Sequence, residues 1–341
     1  MKTSDFYYDL PQRLIAQTPM EPRDAARMMV IHRDTGLRED KIFRDMVDYL
    51  RPGDVMVINE TKVIPARLLG EKEDTKVPVE ILLLRRIDQT HWETLVRPGR
   101  RLKKDVTVSF GDGLLRARIG DTTDAGGRIV EFLYEGVFEE LLDRLGEMPL
   151  PPYIHEKLDD PTQYQTVYAK QEGSAAAPTA GLHFTPEVLN RVREKGVEIV
   201  PVLLHVGLGT FRPVKVEDVS EHVMHSEYYQ VTPEAAARIN AARPRGGRIV
   251  CIGTTSVRTL ETVADEQGVV HPGMGMTNIF ITPGVKLKAT DVLLTNFHLP
   301  ESTLLMLISA MMGREQALDA YREAVEKEYR FFSFGDCMLI L

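Results

Sequence analysis

The chain has 341 residues, 43% of them hydrophobic and 27% charged, with a net charge of −8. That length is about twice the ~150-residue yardstick for one domain, so two domains are expected, each able to bury a core without disulfides. The acidic balance excludes a uniformly basic nucleic-acid coat but not a local basic patch, and two cysteines without a CxxC spacing give no basis for a disulfide scaffold or structural zinc. The N-terminal segment lacks an apolar h-region, and the longest apolar stretch, Leu304 to Met312, is about half a membrane span. A soluble, cytoplasmic protein is expected.

In chain order, MMVI (28–31) and DVMVI (54–58) read as strands. From about Arg67 the texture changes. VPVEILLLR, HWETLV, DVTVSF, LLRARI and RIVEFLYE are short β segments separated by turn signals at Pro98-Gly99, Gly111-Asp112-Gly113 and Asp124-Ala125-Gly126-Gly127. The run Pro149, Pro151, Pro152 marks an exit hinge. Beyond it, VEIVPVLL (197–204), RIVCI (248–252), TNIFI (277–281) and DVLL (291–294) read as strands. Thr185-Pro186-Glu187 and Thr232-Pro233-Glu234 are helix starts, and residues 314–329 carry helical apolar spacing. The predicted fold is an α/β main domain over residues 1–66 and 151–341, with an inserted all-β, barrel-like smaller domain over 67–150.

Ligands of open α/β sheets sit beyond the carboxyl ends of strands. Here those ends lead into Asn59-Glu60-Thr61-Lys62, His205-Val206-Gly207-Leu208-Gly209-Thr210, Gly253-Thr254-Thr255-Ser256-Val257-Arg258 and Thr295-Asn296-Phe297-His298. Ser, Thr, Asn and Gly are common in any strand-to-helix turn, but His205, Arg258 and His298 are not turn formers. One convergent polar site is therefore predicted. GTTSVR opens a helix with free N–H groups and hydroxyls suited to a carboxylate or phosphate, and Arg258 can add a bidentate contact. The small-residue loop 173–185, with Thr179, Gly181 and His183, lets backbone approach a flat ligand. No GxGxxG, Walker A, HExxH or GxSxG sequence occurs, and His222 and His225 lack a third ligand, so no metal is expected. Arg97, Arg100, Arg101, Lys103 and Lys104 form an acid-free basic cluster of the kind that contacts an RNA backbone. Arg243, Arg245 and Arg248 are the next candidates.

DFYYDLPQRLIAQTP, GDVMVINETKVIPARLLG, GSAAAPTAGLHFT, HVGLGTFRPV, GTTSVRTLE, TNFHLPESTLLML and YRFFSFGD together resemble the S-adenosylmethionine:tRNA ribosyltransferase-isomerases of queuosine biosynthesis. The resemblance runs from residue 4 to the C-terminus. It implies an α/β domain with an inserted β-barrel. It also implies a reaction in which the ribosyl part of S-adenosylmethionine is transferred and isomerised onto 7-aminomethyl-7-deazaguanine at the tRNA wobble position. The product is epoxyqueuosine; adenine and methionine leave. That chemistry needs a base and an acid near neutral pH, which makes His183, His205 and His298 the catalytic candidates. Thr179, Gly181, Gly207, Gly209, Thr254, Thr255, Ser256, Arg258 and Asn296 become candidates for binding S-adenosylmethionine and substrate. The basic cluster becomes the candidate tRNA contact, the expected partner being an anticodon loop, with no membrane, metal or obligate protein partner. A conventional methyltransferase and a non-catalytic RNA-binding adaptor are the alternatives. Glu301 stands where the family usually has Lys or Arg, Cys337 where Ala is common, and Val285 and Leu287 replace aromatics.

Overall fold

A computed structural model describes residues 1–341 except 124–125, 157, 159 and 208–213. In chain order the strands are β1 Arg27–Ile31, β2 Arg38–Ile42, β3 Val55–Asn59, β4 Thr61–Val63, β5 Arg67–Lys72, β6 Pro78–Arg86, β7 His91–Arg97, β8 Thr107–Phe110, β9 Leu115–Thr122 and β10 Arg128–Leu133. Helix α1 (Phe138–Leu145), β11 (Gly146–Glu147), β12 (Gln171–Ser174), α2 (Pro186–Glu194) and β13 (Glu198–Leu204) follow. Then come β14 Glu227–Val231, α3 Pro233–Asn240, β15 Ile249–Ile252, α4 Gly253–Val263, β16 Gly273–Thr277, β17 Val292–Asn296, α5 Thr303–Met312, α6 Arg314–Glu326 and β18 Cys337–Ile340. The chain divides into two compact units, one of residues 1–61, 152–171 and 177–341, the other of 62–151 and 172–176.

The larger unit is built on a nine-stranded sheet of order β16-β14-β13-β3-β15-β17-β18-β1-β2. Its centre, β13-β3-β15-β17, is parallel. Antiparallel neighbours flank it: β14 and β16 on one side, β18 on the other. The central strands are apolar on both faces because both faces are covered. The pleat sends Val55, Val57, Ile249 and Cys251 into one core, with α3, α4, α5 and α6. Met56, Ile58, Val250 and Ile252 go into the other, with α2. Thr185 and Thr232 cap α2 and α3 as their sequences demand, accepting from Val188 N and Ala235 N. Of TNIFI only Thr277 belongs to a strand, as the last residue of β16. The edge strand is GMGMT, which has β14 as a partner along its length, whereas Ile279 N turns back to Thr277 Oγ1 (3.2 Å) and Ile281 packs into the core with no ladder.

In the smaller unit β5 to β10 form a closed six-stranded antiparallel barrel of order β5-β6-β7-β10-β9-β8, with β8 returning to β5. Alternation along β6 and β9 puts Val79, Ile81, Leu83, Leu115, Ala117 and Ile119 inside. Closure depends on Gly70: a Cβ there would lie 2.5 Å from the Phe110 ring and from the Ser109 carbonyl. Helix α1 plugs the same core with Phe138, Leu141 and Leu142.

The register of the parallel core is tied at its amino edge by Asp54, which is fully buried. Its carboxylate accepts Arg248 N and Arg51 N (2.8 and 2.9 Å) and pairs with Arg248 Nη2 at 2.8 Å, so the starts of β3 and β15 are held together. Asp54→Ala leaves Arg248 without its carboxylate and should cost about 3 kcal/mol of unfolding free energy, read from urea denaturation.

Candidate functional site

Since β3, β13, β15 and β17 run in one direction, their carboxyl ends meet along one sheet edge. Asn59 closes that edge. Its Nδ2 donates to Leu204 O (2.9 Å) and its Oδ1 accepts Leu204 N and Thr61 N (3.0 and 3.2 Å), satisfying backbone where the ladder stops. At this edge lies a cleft of about 70 Å³, partly open to solvent. Val206, Gly253 to Thr255, and Thr295 to Leu299 line it, together with the loop Ala177 to Ala180 and with Tyr153, Phe332 and Ser333. The turn into α4 requires Gly253, whose φ of +81° is left-handed.

The three histidines differ in environment. His298 lines the cleft. Its main chain is clamped by two tyrosines, Tyr8 donating to its carbonyl and its own N–H reaching Tyr321 Oη at 3.1 Å. Its Nε2 lies 2.9 Å from Thr295 Oγ1, and burial lowers its pKa to about 3. His183 lies behind the cleft, not in its lining. It packs on Phe43, and its Nε2 meets Asn296 Nδ2 at 3.3 Å. Burial, then the nearby Arg330 and Arg23, lower its pKa to about 4. His205 is half-buried, also outside the lining, with Nδ1 2.8 Å from Thr61 Oγ1 and its ring stacked on Tyr228; burial lowers its pKa as well.

The other candidates divide in the same way. Thr179, Thr254, Thr255 and Asn296 line the cleft, Thr179 Oγ1 lying 3.4 Å from Asn296 Oδ1. Helix α4 has no side-chain N-cap, and Thr255 Oγ1 is buried without a partner among the described residues. An uncapped helix start beside an unsatisfied hydroxyl suits an anionic group. Ser256 is outside the lining: it is fully buried and its hydroxyl donates to Ile252 O at 2.8 Å. Gly181 is outside the lining and faces Tyr168, whose hydroxyl would stand 2.1 Å from an added Cβ. Arg258 is buried outside the lining and pairs with Glu227, which also accepts Gly207 N at 2.8 Å. Gly209 lies outside the described residues. Among the described residues no three His, Cys, Asp or Glu side chains are placed to hold a metal ion, and no helix is long and apolar enough to cross a membrane.

The basic cluster belongs to the barrel unit, at the end of β7 and in the connection to β8, anchored by fully buried Leu102. Arg97, Arg100, Arg101 and Lys103 are exposed and make no ion pair with the described residues; Lys104 pairs with Asp121 at 2.6 Å. Arg243, Arg245 and Arg248 are each engaged, with Asp291, Glu198 and Asp54.

A family model described as "Queuosine biosynthesis protein" matches residues 3–340. S-adenosylmethionine:tRNA ribosyltransferase-isomerases are 64% identical over 341 residues in Symbiobacterium thermophilum and 58% over 340 in Clostridioides difficile, covering both chains completely. The chain belongs to this family. A crystal structure of S-adenosylmethionine tRNA ribosyltransferase from Thermotoga maritima is 41% identical over 99% of this chain and 100% of its own, with a TM-score of 0.57. Thr61, one of the predicted strand-end residues, holds His205, whereas Tyr8 and Tyr321, which hold His298, were not among the candidates. Neither were Tyr153, Phe332 and Ser333 of the cleft wall. YRFFSFGD carried a signal in its Gly335-Asp336 turn, where a Cβ on Gly335 would meet Arg330 O at 2.5 Å. Of the family departures, Glu301 is outside the cleft lining, with a left-handed φ of +58°, and Cys337 is fully buried in β18.

The two depressed imidazoles make stability pH-dependent. In the unfolded chain they titrate near the ordinary 6.5, but in the folded protein near 3 and 4. The unfolded state thus takes up protons first, so stability is complete above pH 6.5 and falls on acidification toward the folded values. Each steepens the loss by ~1.4 kcal/mol per pH unit. Urea titrations between pH 6 and 4 should show a shallower slope for His298→Gln by about that amount.

Proposed function

We propose that the cleft binds S-adenosylmethionine and that the chain transfers and isomerises its ribosyl part onto 7-aminomethyl-7-deazaguanine at the wobble position of tRNA, giving epoxyqueuosine, adenine and methionine. What carries this reading is that family motifs far apart in sequence, the APTAG loop, GTTSVR, TNFHLP and YRFFSFGD, all contribute walls to one cleft. The residues present fit the substrate. The uncapped start of α4 and Thr255 Oγ1 suit its carboxylate. Ala177, Pro178, Phe297 and Leu299 suit its apolar parts. S-adenosylmethionine supplies the activation: its sulfonium acidifies the adjacent C5′ hydrogens, and adenine is a leaving group.

The chain's own residues then do the positioning. His298, neutral at physiological pH, does not repel the sulfonium and can accept a hydrogen bond; Thr295 and the two tyrosines fix its ring and main chain. Asn296 links Thr179 on the loop to His183, so one amide orients both. His205, the least buried of the three, stands outside the lining and is held by Thr61 and Tyr228, so we assign it a positioning role at the strand end. Glu227 fixes the loop after β13 through Gly207 while neutralising Arg258.

Incubation with S-adenosylmethionine and tRNA bearing the aminomethyl-deazaguanine should release adenine and methionine in equal amounts. S-adenosylhomocysteine in their place would mean methylation, and no product at all an adaptor; either defeats the reading.

For tRNA itself we assign phosphate contacts to Arg97, Arg100, Arg101 and Lys103, a run of exposed cations that no described carboxylate pairs. Arg100→Ala with Lys103→Ala should weaken tRNA binding and flatten the dependence of log K on log salt by about 0.7–0.9 per lost contact. Binding of S-adenosylmethionine should stay at its wild-type value. An unchanged salt slope would make the stretch only a solvated connection.

A further inference from the structure

We propose that Phe332 and Tyr153 form the wall that receives the adenine ring of S-adenosylmethionine, with Ser333 at its edge; this rests on the function proposed above. Both rings line the cleft, with centroids 4.5 Å apart and planes inclined by 33°. Such a pair offers a flat apolar face to a heterocycle.

The backbone at Phe332 argues that the ring is kept for a purpose. Its φ is +72°, a conformation that a bulky residue adopts at a cost and that glycine would adopt freely. The surrounding structure enforces it. Phe332 N donates to Phe297 O at 3.1 Å, Phe332 O accepts Asn296 Nδ2 at 3.1 Å and Gly335 N at 2.9 Å. The Asp336 carboxylate takes Arg27 N and Arg330 N at 2.8 and 2.7 Å. The bond from Asn296 also sets the wall beside the end of β17, where His298 stands. A ring held there would leave the ribose next to that histidine.

The hydroxyls complete the fit. Tyr153 Oη and Ser333 Oγ are 2.6 Å apart, and burial pushes the tyrosine pKa up, so its proton stays in place. With Tyr153 donating, the Ser333 proton can turn to a ring nitrogen of the base in place of the Tyr164 hydroxyl, which it also reaches. A hydrogen bond there helps adenine leave as its glycosidic electron pair departs with it. The α4 start attracts the anionic end of the substrate, which leaves the neutral, flat end to the aromatic residues.

The flat heterocycle could instead be the deazaguanine of tRNA, and the test separates the two. Calorimetric titration of the full chain with 5′-deoxy-5′-methylthioadenosine, which carries adenine and ribose but neither carboxylate nor sulfonium, needs no tRNA and no turnover. Phe332→Leu should weaken its binding by roughly tenfold, as loss of a stacking face does. Tyr153→Leu, on a segment outside any strand or helix, should act in the same direction and serves if the first variant does not fold. Tyr153→Phe, which keeps the ring and loses only the hydroxyl, should weaken binding less than Tyr153→Leu, and tRNA affinity should hold in all three. Undiminished methylthioadenosine binding in both leucine variants, no binding by the wild type, or a loss confined to tRNA would each overturn the assignment. None of these results depends on which products the enzyme releases, so the wall can fail while the proposed reaction stands.

Discussion

The direction of four strands is the constraint on which the site depends. With β13, β3, β15 and β17 parallel, four chain segments must leave the sheet at one edge, where their backbone groups no longer have ladder partners. The residues there answer that need first. Asn59 takes both backbone groups of Leu204, Thr295 and Thr61 hold histidine rings, and Gly253 turns the chain into α4. Two orientations of the same strands would scatter these segments over two edges, and no cleft would result.

Burial then decides the chemistry available. The cleft is shielded enough to keep His298 uncharged at neutral pH, and His183 behind it likewise. Such an environment costs a protonated imidazole its hydration, yet it suits a substrate that brings its own positive charge. The buried pair Arg258–Glu227 follows the same logic. A charge removed from water is neutralised on the spot, and the remaining carboxylate oxygen is used to fix Gly207.

Charge is arranged differently in the two units. In the larger one Arg248, Arg243 and Arg245, near the sheet's amino edge, are matched to Asp54, Asp291 and Glu198. In the barrel, four cations of one short connection stand exposed and unmatched by any described carboxylate, on a chain whose net charge is −8. Exposed pairs add little stability, so leaving these cations unpaired costs the barrel little and keeps them available to a polyanion.

The sequence by itself determined the fold class and most strands and helices, because apolar period and capping residues are local properties: Thr185 and Thr232 begin helices in the structure as they do on paper. It failed at TNIFI, where apolar composition was not matched by a ladder partner, and at GMGMT, where a partner made a strand of a glycine-rich run. The four strand-end clusters were legible as polar turns, and their shared direction brought them together. Which of their members face the cleft was not legible. Ser256 turns back on its own helix, Gly181 accommodates Tyr168, and Arg258 answers Glu227, each for reasons supplied by distant residues. Tyr153, Phe332 and Ser333 entered the wall unannounced for the same reason. A side chain's type is written in the sequence, but its neighbours across the sheet, and hence its charge state and its access to a ligand, are fixed only when the chain closes on itself.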